Sequence, residues 1–140
     1  MIDRFLEGFK ALHEYPGDIS TPILIPGDLD PHERHYRFGI HIDAELRLAG
    51  LGSAGGGWQI QSIDDDEIWH VDYSIIDTDV TELESGLALI QLHLVELGCP
   101  PGTLVQYDDR EDRWDGERWN RGEARSSDED DQYPWRDGRD

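Results

Sequence analysis

The sequence predicts an α+β fold: a two-layer sandwich in which an antiparallel sheet, built from a three-stranded meander plus one later strand, carries two helices on one face. Three observations predict it. Apolar residues recur at helical spacing in two separate stretches, they alternate with polar residues between those stretches, and glycine, proline or clustered acids mark the junctions. A chain of 140 residues has the length of one domain and can bury a substantial core.

The first helix is read over residues 2 to 13, where Ile2, Phe5, Leu6, Phe9 and Leu12 form one stripe. It stops near Tyr15, because Pro16 and Gly17 do not continue it. Residues 16 to 34 hold Pro16, Pro22, Pro26 and Pro31 around an apolar Ile23, Leu24 and Ile25. They read as a connection along the domain surface with room for one short extended piece. From Tyr36 to Leu48 the pattern alternates: Phe38, Ile40, Ile42, Ala44, Leu46 and Leu48 against Arg37, His41, Asp43, Glu45 and Arg47. This predicts a long strand with one wet face.

Residues 50 to 55, GLGSAG, fit the glycine pattern of dinucleotide-binding turns, with Asp72 about 20 residues on. That chemistry needs a helix to open behind the glycines, so that free amides and the helix dipole meet a pyrophosphate. Trp58, Gln59, Ile60 and Gln61 alternate instead, so the glycines are read as a flexible hairpin connection. A second strand follows over residues 58 to 63, a polar turn at Asp64, Asp65, Asp66 and Glu67, and a third strand over residues 68 to 76. The second helix spans about Val80 to Leu97, with Asp79 and Glu82, or Thr81 and Glu84, as a capping box and Gly98 as its stop. Leu83, Leu87, Ile90, Leu94 and Leu97 make its main stripe. Residues 102 to 107 return as a fourth strand, and Trp114 and Trp119 flank a tight turn at Asp115 and Gly116. Residues 1–120 are thus read as a single domain and residues 121–140 as an acidic, largely disordered tail, with Tyr133 and Trp135 docking back.

The formal charge of -20 comes from 32 acids against 12 bases, of which Lys10 is the lone lysine. Such a field disfavours nucleic acid and anionic membrane and speeds encounter with basic partners. A merely solvated surface, or adaptation to a salty cytoplasm, produces the same composition. Residues 108 to 140 carry 13 acids and 7 arginines, so the tail alone does not account for the charge. Cys99 is the one cysteine, which excludes an internal disulfide and a cysteine-based zinc site; it reads as a structural thiol. Neither a basic start followed by an apolar run nor a stretch of 18 apolar residues is present, and a soluble cytoplasmic protein is expected.

The sharpest catalytic pattern is a repeated His-x-Asp, at His41 with Asp43 and His70 with Asp72. Residues two apart on a strand share a face, so two imidazoles and two carboxylates could bind a metal or divide acid and base work. Against this, the meander makes those strands non-adjacent, and an open sheet face encloses nothing. The turn at residues 64 to 67 lacks the spacing of a calcium loop. Ser53 lacks the elbow of a hydrolase nucleophile, and His13, His32, His35 and His93 have no partner at diagnostic spacing. No cofactor is expected.

In size, charge, and a meander beside a long packed helix, residues 1–120 resemble the small acidic immunity proteins that neutralise toxins of bacterial polymorphic and contact-dependent systems. The resemblance implies a role: a non-catalytic inhibitor that binds a cognate basic toxin domain, one directed at nucleic acid, and occludes its active site. The residues expected to bind the partner are Asp43, Glu45, Asp64, Asp65, Asp66, Glu67 and Asp72, with Trp114 and Trp119 as the apolar anchor. The alternatives are a small metal-assisted enzyme on the His-x-Asp face and an acidic structural subunit.

Overall fold

A computed structural model describes residues 19–125. The helix expected over residues 2 to 13 and the tail beyond Arg125 lie outside the described residues. Seven strands form one sheet: β1 (Ile19–Ser20), β2 (Ile23–Pro26), β3 (Gly52–Ile63), β4 (Trp69–Val80), β5 (Leu104–Tyr107), β6 (Arg110–Trp114) and β7 (Trp119–Ala124). Every pairing is antiparallel. β4 is the spine, with β3 along one side and β1 then β2 along the other, followed outward by β5, β6 and β7. Helical structure comes as α1 (Pro31–Arg34), a π-helical turn (His35–Gly39) and α2 (Ile40–Ala49) in unbroken succession, and then α3 (Leu83–Glu96). The class is α+β, as the sequence predicts.

The segment expected as the first long strand, Tyr36 to Leu48, is helical. Phe38, Ile42 and Leu46 satisfy periods of two and four at once, so their alternation does not separate strand from helix. The ends decide. Asp30 accepts a hydrogen bond from the Glu33 amide at 2.8 Å, Pro31 opens the first turn, and Gly50 closes α2 in the left-handed region at φ 69°. Phe38, Ile42 and Leu46 are fully buried, whereas Ile40 and Leu48 are 41% and 83% exposed. The meander therefore reduces to the β3–β4 hairpin. β3 also absorbs most of the glycine run: Gly57 pairs with Ile76 at φ 152°, where an added Cβ would lie 2.0 Å from the Ile75 carbonyl.

The connection expected on the surface holds a central strand. Ile23, Leu24 and Ile25 are at most 1% exposed, because β2 lies between β4 and β5 and both of its faces are covered. A short apolar run between prolines is the pattern of such a strand. On one sheet face Ile23, Ile25, Ile76, Val80 and Val105 meet Phe38, Ile42 and Leu46 of the continuous helical rod formed by α1, the π-helical turn and α2, and Leu87, Ile90 and Leu94 of α3. On the opposite face Leu24, Ile60, Ile75 and Leu104 form a second cluster with Trp58 and Tyr73 against it.

α3 keeps the expected stripe but starts later. Val80 completes β4, Glu82 takes the N-cap position without a side-chain cap, and neither expected capping box forms. Gly86 lets the helix approach the sheet, since a Cβ there would sit 2.6 Å from the Val80 side chain. At the other edge, the tight turn expected at Asp115 and Gly116 is present. Asp115 Oδ1 accepts from the Glu117 and Arg118 amides and Oδ2 from Asn120, which holds the Asp115 carboxyl down at about 2. β7 runs on through Ala124, past the domain edge read at residue 120.

Candidate binding surface

The β3–β4 hairpin outgrows the body of the domain. Every residue from Gln61 to His70 is exposed, so the outer ends of both strands and their turn form an arm. Its ladder pairs Gln61 with Val71, Ser62 with His70 and Ile63 with Trp69. Ile60 pairs with Tyr73 and Gln61 with Val71, so Asp72 is the extra residue of a bulge; Ile63, Trp69 and Val71 line one side of the ladder, and Ile60, Tyr73 and Ile75 line the other. Beyond the bulge the arm carries Ile63, Ile68 and Trp69, which are 50%, 55% and 56% exposed. His70 and its ladder partner Ser62 lie on the side opposite Trp69 and Ile63.

The tip is a carboxylate-organised turn. Asp64 Oδ1 accepts from the Asp66 and Ile68 amides at 2.9 and 3.0 Å, and Oδ2 lies 2.6 Å from His70 Nε2. The His70 contact first, and then the Ile68 amide, hold the Asp64 carboxyl below its usual range. Glu67 takes φ 62°, the left-handed conformation that reverses the chain. Asp64 is thus spent on the turn, while Asp65, Asp66 and Glu67 present their carboxylates to solvent beside Ile68 and Trp69.

The other expected partner residues do not join this arm. Asp43 and Glu45 sit on α2. Asp43 Oδ1 accepts from Arg47 Nε at 2.8 Å and from the Ala54 amide at 2.9 Å, so it fastens α2 to the start of β3. Ala54 precedes Ile63 by nine residues, roughly 30 Å along a strand. Glu45 lies 3.7 Å from His93 of α3. Trp114 and Trp119 face each other across β6 and β7 with ring centroids 5.5 Å apart, partly buried against the helix-face core. β4, β2 and β5 separate them from β3, and they pack against the far end of the core, away from the arm.

The His-x-Asp constellation also dissolves. With residue 41 on a helix, His41 and Asp43 diverge by about 200° around its axis, and His70 and Asp72 lie on the arm. Among the described residues no group of three or more His, Cys, Asp or Glu side chains is placed to hold a metal. His70 pairs with Asp64 and faces Ser62 across the ladder, but Ser62 makes no hydrogen bond to His70 and all three are exposed. Nothing encloses a substrate there. Cys99 is buried, and burial pushes its thiol up, as expected of a structural cysteine. Among the described residues no helix is long and apolar enough to cross a membrane.

One buried polar network went unread in the sequence. Asp112, 1% exposed, accepts from Gln91 Nε2 and Tyr107 Oη at 2.6 Å each and from the Gly122 amide at 2.8 Å. It ties α3, β5 and β7 together through one carboxylate. Burial and the Asp112 contact push the Tyr107 hydroxyl up to about 12, so it stays a donor. Sequence pattern signals nothing here, since Asp112 lies in a charged run that reads as surface. Comparison with protein-family models, with curated protein sequences and with solved structures found no match.

Proposed function

We propose that this protein is a non-catalytic binding protein that engages a basic protein domain through the β3–β4 arm. The observation that carries the reading is the arm itself, where exposed Ile63, Ile68 and Trp69 adjoin the free carboxylates of Asp65, Asp66 and Glu67. Apolar side chains confined to a protruding hairpin do nothing for the core and supply the desolvated area that slows dissociation. Acids around them, in a chain of charge -20, accelerate encounter with a positive surface. A hairpin two strands wide enters a cleft of the kind that holds nucleic acid. The specific form of the proposal is an immunity protein that occludes the active site of a nucleic-acid-targeting toxin domain in the cytoplasm.

The test is capture of partners from the source lysate on immobilised protein, eluted with a salt gradient and identified by mass spectrometry, run beside Trp69→Ala and a triple Asp65→Lys, Asp66→Lys, Glu67→Lys variant. A basic protein held near stoichiometry by the parent, and about tenfold more weakly by each variant, is the expected result. A partner held equally by all three proteins, or none at low salt in a lysate containing candidate toxins, removes the reading.

A further inference from the structure

Arg34 is a largely buried cation. It ends α1 at 9% exposure, and its side chain makes one long hydrogen bond, from Nη1 to the Trp58 carbonyl at 3.4 Å. Arg37, Arg47, Arg110, Arg113 and Arg121 each find a carboxylate in ion-pair reach; among the described residues Arg34 finds none, and neither do the more exposed Arg118 and Arg125. A guanidinium has five donors in a fixed fork. In a chain with 32 acids, the remaining Arg34 donors meet no carboxylate among the described residues and stay in reach of solvent, which leaves them available to a small anion.

The side chain lines a cavity of about 40 Å³ together with His35, Gly39, Gly55, Gly56 and Ile76. Three irregularities of the backbone converge on it. The π-helical turn follows directly after Arg34, and such turns recur at functional sites. The β3 ladder breaks between Ala54 and Gly57, which leaves Gly55 and Gly56 without a partner residue in β4. The guanidinium lies against the bare Gly57 Cα, where a Cβ would come within 3.1 Å of its Cζ and Nε. Gly56 is left-handed at φ 68°, and a Cβ on Gly55 or Gly56 would meet nothing within 4 Å, so the cavity is open on their side.

We infer that this cavity is a binding site for one small oxyanion, a phosphate or carboxylate group, held by the Arg34 fork opposite the Gly55 and Gly56 backbone. Planar guanidinium geometry favours bidentate contact with such groups. The volume matches about three water molecules, the size of one oxyanion and too small for a nucleotide. The overall negative field repels anions from the rest of the surface, so retention at this point requires the built cation. The site is independent of the arm, since Gly57 precedes Ile63 by six residues, roughly 20 Å along β3.

The experiment is a titration of the whole protein with inorganic phosphate and, separately, with acetate, at ionic strength held constant with chloride, read by amide and arginine side-chain NMR. Saturable shifts at Gly55, Gly56, Gly57 and Arg34 Nε, with Kd on the order of 1 mM, are expected for at least one anion. Response to phosphate alone assigns a tetrahedral ligand, and response to acetate alone a carboxylate. Arg34→Gln should abolish the shifts, and Arg34→Lys, which keeps charge and loses the fork, should weaken them about tenfold. Absence of saturable shifts with both anions in the parent protein overturns the inference, whether or not the variants fold. So does binding that persists undiminished in either folded variant.

Discussion

β3 and β4 form one ladder from Gly52 opposite Val80 to Ile63 opposite Trp69, yet its two halves sit in different surroundings. In the inner half Ile60, Ile75, Ile76 and Val80 are at most 1% exposed, whereas in the outer half Ile63 and Trp69 meet each other in solvent. Antiparallel pairing runs through both, with register shifts between Ala54 and Gly57 and between Ile60 and Gln61. Burial differs, and it separates the apolar residues that hold the fold from those left over for another surface. The inner half is locked by side chains on both faces of the sheet; the outer half is held by its own ladder and by the Asp64 turn.

The sharpest way to break this contrast is to truncate one large side chain from each half of the molecule. Phe38→Ala or Leu94→Ala, each removing a fully buried side chain, should cost about 3–5 kcal/mol in urea unfolding. Trp69→Ala should change stability by no more than about 0.5 kcal/mol. A loss at Trp69 as large as that at Phe38 would make the arm part of the folding core.

Next in size is the Asp112 network. Asp112→Ala strands the Gln91 amide, the Tyr107 hydroxyl and the Gly122 amide, at an expected cost of about 3 kcal/mol. The same network sets an alkaline limit. The Tyr107 pKa is raised in the folded state from 10.0 to about 12. Its contribution is therefore complete below pH 10 and is lost as pH rises toward 12. Unfolding measured against pH should show this loss in the parent and not in Tyr107→Phe.

The smallest effect belongs to the arm. Asp64 has its pKa lowered from 3.8 by His70 and backbone amides. What it contributes to the turn is present above that value and lost as the pH falls through the lowered one. Amide shifts of Asp66 and Ile68 should report that change while residues of the body stay unmoved, and Asp64→Asn should abolish it. Movement of body and tip together would show that the arm is not a separate unit.

Legibility in the sequence followed the same division. α3, the outer strands of the arm and the hairpin at Asp115 were readable, because each has one periodicity and an unambiguous stop such as Gly98 or Gly116. The rod through α2 mimics a strand because spacing of four residues is also spacing of two, and the decisive signals, Asp30 with Pro31 at one end and Gly50 at the other, lie outside the alternating run. The prolines that flank β2 give it the look of a surface connection, although three consecutive apolar residues need cover on both faces. Of the candidate site, the acidic turn was visible as composition. Asp43 and Glu45 sit on α2 with the rest of that alternating run, and Trp114 and Trp119 pack partly buried against the core. Trp69 was visible only as one face of a strand, since periodicity does not say where the body of a domain ends and an arm begins.

The central claim is that the arm is where the partner binds, and association kinetics against salt test it most directly. With the captured partner, the Asp65→Lys, Asp66→Lys, Glu67→Lys variant should associate more slowly and with a flatter salt dependence, while Trp69→Ala should leave association alone and speed dissociation about tenfold or more. Unchanged association and dissociation rates in both variants would place the interface elsewhere on the molecule.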